Sequence, residues 1–239
     1  MTRMIGFFLA VTLLIGGTAQ AGPNWESYGM KIAAGEEGAV LAVIEKFMAT
    51  KAGKAMPGSY SLMSSWMNGS DPTTHSIIWA TDSIAEREKY IRSMEGNADW
   101  AALITSLSRA TDSWASYRMA FDKTWGESGE SDSVWYIYPA ALADPAAYQS
   151  AMDELMNSKV AKKFKGSLVL SRIVAGGVVS ASHLISQGFE SEAEAEKWDE
   201  VLTASPEFAA FRKATEGSSK YMGTSILYTV KSWGGMTPE

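Results

Sequence analysis

The same alternation of hydrophobic and polar positions runs along this chain twice. Tyr28, Met30 and Ile32 alternate with small or polar neighbours, the period of a half-buried strand. Glu36 and Glu37 follow, suited to the first turn of a helix. Val40, Val43, Ile44 and Phe47 then fall at i, i+3, i+4 and i+7, an apolar helix side. Tyr148, Ala151, Met152 and Leu155 repeat that stripe behind Asp144-Pro145, an N-cap with proline at the first helical position. Strand-like runs over 60–67 and 168–175 end at Asn68-Gly69 and Gly176-Gly177, dipeptides that favour two-residue hairpin turns. Third strands are expected to begin at His75 and His183. Asp82-Ser83 and Glu190-Ser191 open charged helices, which restart at the capping patterns Asn97-Ala98-Asp99 and Ser205-Pro206-Glu207. Last strands are expected over 115–123 and 224–231.

These coincidences describe an internal duplication with a spacing of 108 residues. Residues 27–126 match 135–234 without a gap, with Tyr28 on Tyr136, His75 on His183 and Trp125 on Trp233. The expected organisation is a first repeat over 22–126, a polar linker over 127–134 and a second repeat over 135–239. Each repeat reads strand, helix, strand, strand, helix, strand, a ferredoxin-like order with helices on one face of an antiparallel sheet. The other sheet face needs cover, and a second copy provides it.

In this respect the chain resembles the dimeric α+β barrel superfamily in a fused, tandem form. The resemblance implies an α+β fold of two ferredoxin-like repeats, their antiparallel sheets face to face as a pseudo-dimeric barrel. The superfamily includes cofactor-independent monooxygenases of the antibiotic-biosynthesis type, haem-degrading and haem-peroxidase relatives, and small isomerases. No catalytic motif of these families is matched residue by residue, so no residue's role is carried over.

At the N-terminus, Arg3, an apolar run from Ile5 to Ile15 and Ala19-Gln20-Ala21 read as a signal peptide over 1–21. The expected location is periplasmic or secreted, with no membrane attachment after cleavage. Loss of Arg3 would take the formal charge from −6 to −7. That acidity argues against a nucleic-acid backbone as partner. The chain has no cysteine, which removes disulfides, thiolate nucleophiles and cysteine-based metal sites. The expected assembly is a monomer that is its own pseudo-dimer, or a weak homo-oligomer.

Dinucleotide, P-loop, nucleophile-elbow and zinc-protease motifs are absent. The duplicated His75 and His183 are the candidate catalytic bases. On a strand, His75, Ile77 and Trp79 share a face, as do His183, Ile185 and Gln187. The bland role for such a histidine is a hydrogen bond at a strand end. Arg172 and Arg118 are candidate anion clamps, each present in one copy only. Trp66, Trp79, Gln187 and Tyr228 complete the candidate ligand-binding set. Three roles stand at this level. One is binding of a small apolar or aromatic molecule in the barrel. The second is cofactor-independent oxygenation or isomerisation by a histidine base. The third is a haem-binding or structural module. No cofactor is expected from the motifs, with haem left open.

Overall fold

The computed structural model describes residues 23–127, 129–176 and 180–234. The signal-peptide segment lies outside these residues. The first half runs β1 (Asn24–Ile32), α1 (Glu37–Met48), a short α2 (Lys51–Lys54), β2 (Ser59–Met67), β3 (His75–Thr81), α3 (Ile84–Ser93), α4 (Ala98–Ala110) and β4 (Thr111–Gly126). The second runs β5 (Val134–Leu142), α5 (Pro145–Met156), a 3₁₀ turn (Val160–Lys163), β6 (Ser167–Gly176), β7 (His183–Phe189), α6 (Glu192–Thr203), α7 (Pro206–Thr215), β8 (Ser219–Tyr221) and β9 (Ser225–Gly234). The helix starts follow local chemistry. Ser83, Asn97, Asp144, Ser191 and Ser205 each accept a backbone N–H with the side chain.

Every strand pairing is antiparallel. Each half contributes four long strands, β4-β1-β3-β2 and β9-β5-β7-β6. The halves join at both edges, through β4 with β6 and β2 with β9, so the sheet closes on itself. This is the expected pseudo-dimeric α+β barrel. Its two sheets oppose faces across the interior and share hydrogen-bonded seams as well. Closure removes the free edges that would otherwise template pairing with another chain.

Strand alternation divides the side chains into two sets. Ile77, Trp79, Met30, Tyr60 and Leu62 pack outward against α1, α3 and α4, and Leu168, Leu170, Ile185 and Phe189 pack outward against α5, α6 and α7. Ile44, Ala151 and Met152 are buried there as the helical stripe requires, while Val43 is half-buried. Trp25, Ala80, Met119 and Leu184 meet inside the barrel. The Trp25 indole N–H donates to Ser171 Oγ at 2.9 Å, linking β1 to β6 through the interior. An eight-stranded barrel is just wide enough for its side chains to fill it.

Three sequence expectations change. The duplication is not ungapped at its first strand. His75 stands opposite Met30, but His183 stands opposite Ala140, so Tyr28 corresponds to Tyr138 and Glu26 to Tyr136. The β1–α1 connection is longer than the β5–α5 one, and repeated tyrosines two residues apart hide the slip. Asn68-Gly69 does not form a two-residue hairpin. Residues 68–74 bridge β2 and β3, held by Asn68 Nδ2 on the Thr73 carbonyl and the Thr73 N–H on Asp71. The polar stretch before β5 is pinned to the fold. Asp132 is buried and accepts from Ser167 Oγ at 2.6 Å, and burial pushes its carboxyl above the usual range.

The seams carry a duplicated clasp. β4 runs past its own half, so that Lys123 and Trp125 reach Asp153 on α5. Lys231 of β9 likewise reaches Glu45 on α1, with Trp233 beside it. Each lysine lies over its neighbouring indole, at 5.8 and 5.9 Å. Lys123 and the Trp125 N–H hold the Asp153 carboxyl below its usual range.

Candidate functional site

The eight sequence candidates do not converge on one place: they fall into small groups on the outward side of the strands, with His75, Trp79 and His183 buried. His75 Nε2 lies 2.7 Å from Glu37 Oε2, and its Nδ1 lies 3.0 Å from Thr74 Oγ1. That hydroxyl accepts the Ile32 N–H at 2.9 Å. His183 repeats the pattern. Its Nδ1 lies 2.8 Å from Ser182 Oγ, which accepts the Leu142 N–H at 3.0 Å. Both histidines therefore secure the end of a first strand where the chain turns toward a helix. The carboxylates differ in origin: Glu37 opens α1, whereas Asp122 comes from β4 of the other half.

His183 Nε2 is 3.5 Å from Asp122 Oδ2, close enough for charge attraction but without a formed hydrogen bond. Burial lowers the His183 pKa, Asp122 opposes that shift and Arg172 adds to it. Arg172 Nε is 3.6 Å from Asp122 Oδ1, so this arginine belongs with His183. Haem ligation would need an imidazole nitrogen open to a cavity. Both Nε2 atoms face carboxylates of the fold, and neither histidine lines either cavity described below. The histidines do not fit a haem.

Arg118 and Trp79 belong to an ionic cluster in the first half. The buried Glu26 carboxylate accepts from Arg118 Nε at 2.7 Å and also from Arg87 and Tyr28. The Arg87 guanidinium lies 5.2 Å over the Trp79 ring, whose N–H donates to the Pro57 carbonyl. Burial raises the Tyr28 pKa. The corresponding residues of the second half are Tyr136, Tyr138, Ile226, Ala195 and Gln187, an uncharged set. Trp66 is 68% exposed and meets Tyr228 edge-on at 6.2 Å, while the Tyr228 hydroxyl donates to Glu192. Among the described residues, no group of three or more His, Asp or Glu side chains is arranged for a metal ion.

Among the described residues, two cavities at the surface stand out, and neither is lined by the side chains that meet inside the barrel. The first, about 200 Å³, sits at the β2–β9 seam between Met48, Lys54, Met56, Tyr60 and Trp233. Two structural glycines shape it. Gly58, at φ +74°, presses so close to β3 that a Cβ would sit 1.9 Å from the Ala80 carbonyl oxygen, and Gly234 lies against Gly58 in turn. The Tyr60 and Trp233 rings are 6.1 Å apart. Neither the Tyr60 hydroxyl nor the Trp233 N–H has a hydrogen-bond partner among the described residues. Burial raises the Tyr60 pKa, so its hydroxyl keeps its proton at physiological pH.

The pseudo-equivalent place in the second half is filled. Leu168 stands for Tyr60, Trp125 for Trp233 and Phe164 for Met56. The Phe164 ring lies where a Cβ on Gly126 would meet it at 2.7 Å, and it packs on Trp198 at 4.9 Å. The Trp125 N–H is taken by Asp153 at 2.7 Å. Sequence reasoning missed the seam cavity because its walls come from strand ends and helix ends far apart in the chain. One signal was available: the exchange of Met56 for Phe164 at equivalent positions.

No family model matches the sequence, and no curated protein matches it. Solved structures do resemble it. One is a protein from Lactobacillus acidophilus provisionally classed as a monooxygenase, 10% identical at a TM-score of 0.61, covering 88% of this chain and 95% of that one. Another is an anthrone oxidase-like protein, 13% identical at 0.53, covering 89% and 93%. A third is a chlorite dismutase variant from Candidatus Nitrospira defluvii, 11% identical at 0.52, covering 88% and 92%. With closure at both seams, duplicated halves and these likenesses together, the chain has the fold of the dimeric α+β barrel superfamily, in its fused form.

Proposed function

We propose that this chain is an exported binding protein for one small apolar or aromatic molecule, held in the seam cavity of the first half. The observation that carries this reading is the asymmetry of the two seams. The second-half position is plugged by Phe164, while the first-half position is open and lined by Tyr60, Trp233, Met48 and Met56. Ring faces and thioethers suit a flat apolar body. Tyr60, Trp233 and Lys54 all offer donors, so the ligand should carry an oxygen acceptor. A volume of about 200 Å³ lies below the usual drug-sized range of roughly 300–1,000 Å³, which points to a single ring.

The direct test is Met56→Phe, which copies the plug of the second half. The variant should melt within a few degrees of the parent and lose binding of a one-ring aromatic ketone such as acetophenone, followed by calorimetry. Unchanged binding by Met56→Phe would remove this cavity from consideration. Export is tested by N-terminal sequencing of protein secreted by its host, which should begin at Gly22.

A second reading, cofactor-independent oxygenation or isomerisation in the same cavity, draws on the similar structures classed as monooxygenases. The histidines would not serve as its base, because neither lines the cavity. Oxygen uptake with an aromatic substrate, or its absence, separates binding from turnover.

A further inference from the structure

We infer that the second half carries a separate site for a small organic oxyanion with an apolar body. A cavity of about 220 Å³ lies between the 3₁₀ turn, β7 and α6. Phe189, Trp198 and Val201 give it an apolar wall, and Lys163, Lys165 and Lys197 surround it, with Glu194 as the one carboxylate in the lining. Three lysines around one cavity stand out on a chain of formal charge −6. Lys165 is drawn toward Glu127 at 3.5 Å, a pairing in which both side chains are well exposed. Lys163 and Lys197 have no carboxylate partner among the described residues. Trp198 is 6% exposed, and its indole N–H is buried without an acceptor. A buried donor without a partner is a standing cost to the fold, which an acceptor on a ligand seated beside Trp198 would offset.

Among the described residues, the first half does not repeat this arrangement. Ala55 and Pro57 stand where Lys163 and Lys165 do, and Tyr90 replaces Trp198. The Tyr90 hydroxyl is satisfied, donating to the Ala52 carbonyl at 3.0 Å. Lys163, Lys165 and the orphaned donor thus occur together in the second half only, around one apolar hollow, while Lys197 has its counterpart in Lys89. Lysine acts as a point charge without the planar fork of arginine, so the head group is defined as an oxyanion, phosphate or carboxylate, more than by its shape. Phe189, Trp198 and Val201 restrict the body to about one ring.

Calorimetry with phenyl phosphate and benzoate, against benzyl alcohol and inorganic phosphate, tests the assignment. At low salt the aromatic anions should bind one per chain. Benzyl alcohol and inorganic phosphate should each bind on the order of tenfold more weakly, because each lacks one half of the recognition. Lys163→Gln with Lys197→Gln should weaken phenyl phosphate about tenfold and flatten its salt dependence. These lysines are on the surface, so the double variant should melt with the parent. Met56→Phe should leave anion binding intact, since it alters only the seam cavity. Four results would each overturn the assignment: no saturable binding of either aromatic anion, equal affinity in the double lysine variant, benzyl alcohol or inorganic phosphate binding as tightly, or loss of anion binding in Met56→Phe. Binding by phenyl phosphate alone would identify phosphate esters as the source, and binding by benzoate alone would identify carboxylic acids.

Discussion

At the scale of single residues, the chain spends its ionisable groups on holding strands in place. His183 shows this through its titration. Burial lowers its folded pKa below the ordinary value of about 6.5, so between the two values the unfolded chain binds a proton that the folded chain does not. Stability is then lost as pH falls through 6.5 toward the folded pKa. The charged groups facing the ring are Asp122 and Arg172. Urea titrations should give a steeper loss of stability from pH 7 to 5.5 in the parent than in His183→Gln. Parallel curves would mean that the imidazole does not feel its burial. Glu26 is a second case. Removing it leaves Arg87 and Arg118 without their shared carboxylate, so Glu26→Ala should cost about 3–5 kcal/mol by urea unfolding. Carrying over the second-half residues, Glu26→Tyr with Arg87→Ala and Arg118→Ile, should recover most of that loss. The duplicated histidines were visible in the sequence, and so was the unmatched Arg118. Their partners were not, because Glu37, Asp122 and Glu26 reach them only once strands and helices are assembled.

At the scale of elements, what was legible was what repeats locally. Apolar spacing located the buried faces of α1 and α5, and capping residues located the helix starts. Ile44 is fully buried, so Ile44→Ala should cost roughly 2–5 kcal/mol in a urea melt. The seam clasps should behave otherwise. Lys123 and Asp153 are each more than a third exposed, so solvent screens them. Asp153→Ala should cost no more than about 1 kcal/mol by the same measurement. Loop lengths were the poorest reading. Asn68-Gly69 carries the signature of a tight turn, yet the connection spans 68–74, because Asp71 and Thr73 build a local hydrogen-bonded loop that no period reports.

At the scale of the whole molecule, closure is the dominant fact. Each half alone would expose one face of its sheet and the edges of β2 and β4, or of β6 and β9. A fragment covering 23–126 should therefore fail to persist as a monomer, forming dimers or larger species on size exclusion. A monodisperse folded monomer would show that the seams contribute little. The duplication implied two sheets that cover one another, but not where their edges meet, since seam partners lie far apart in the sequence. The plugged seam beside the open one has a further consequence. A homodimer built from identical chains must present every feature twice, because symmetry copies each substitution. Joining the halves in one polypeptide lifts that constraint: Met56 and Phe164 can differ, and so can Ala55 and Lys163. Stoichiometry should follow, with one equivalent of each ligand per chain and no cooperativity between like sites, because the halves differ at the residues that line each site.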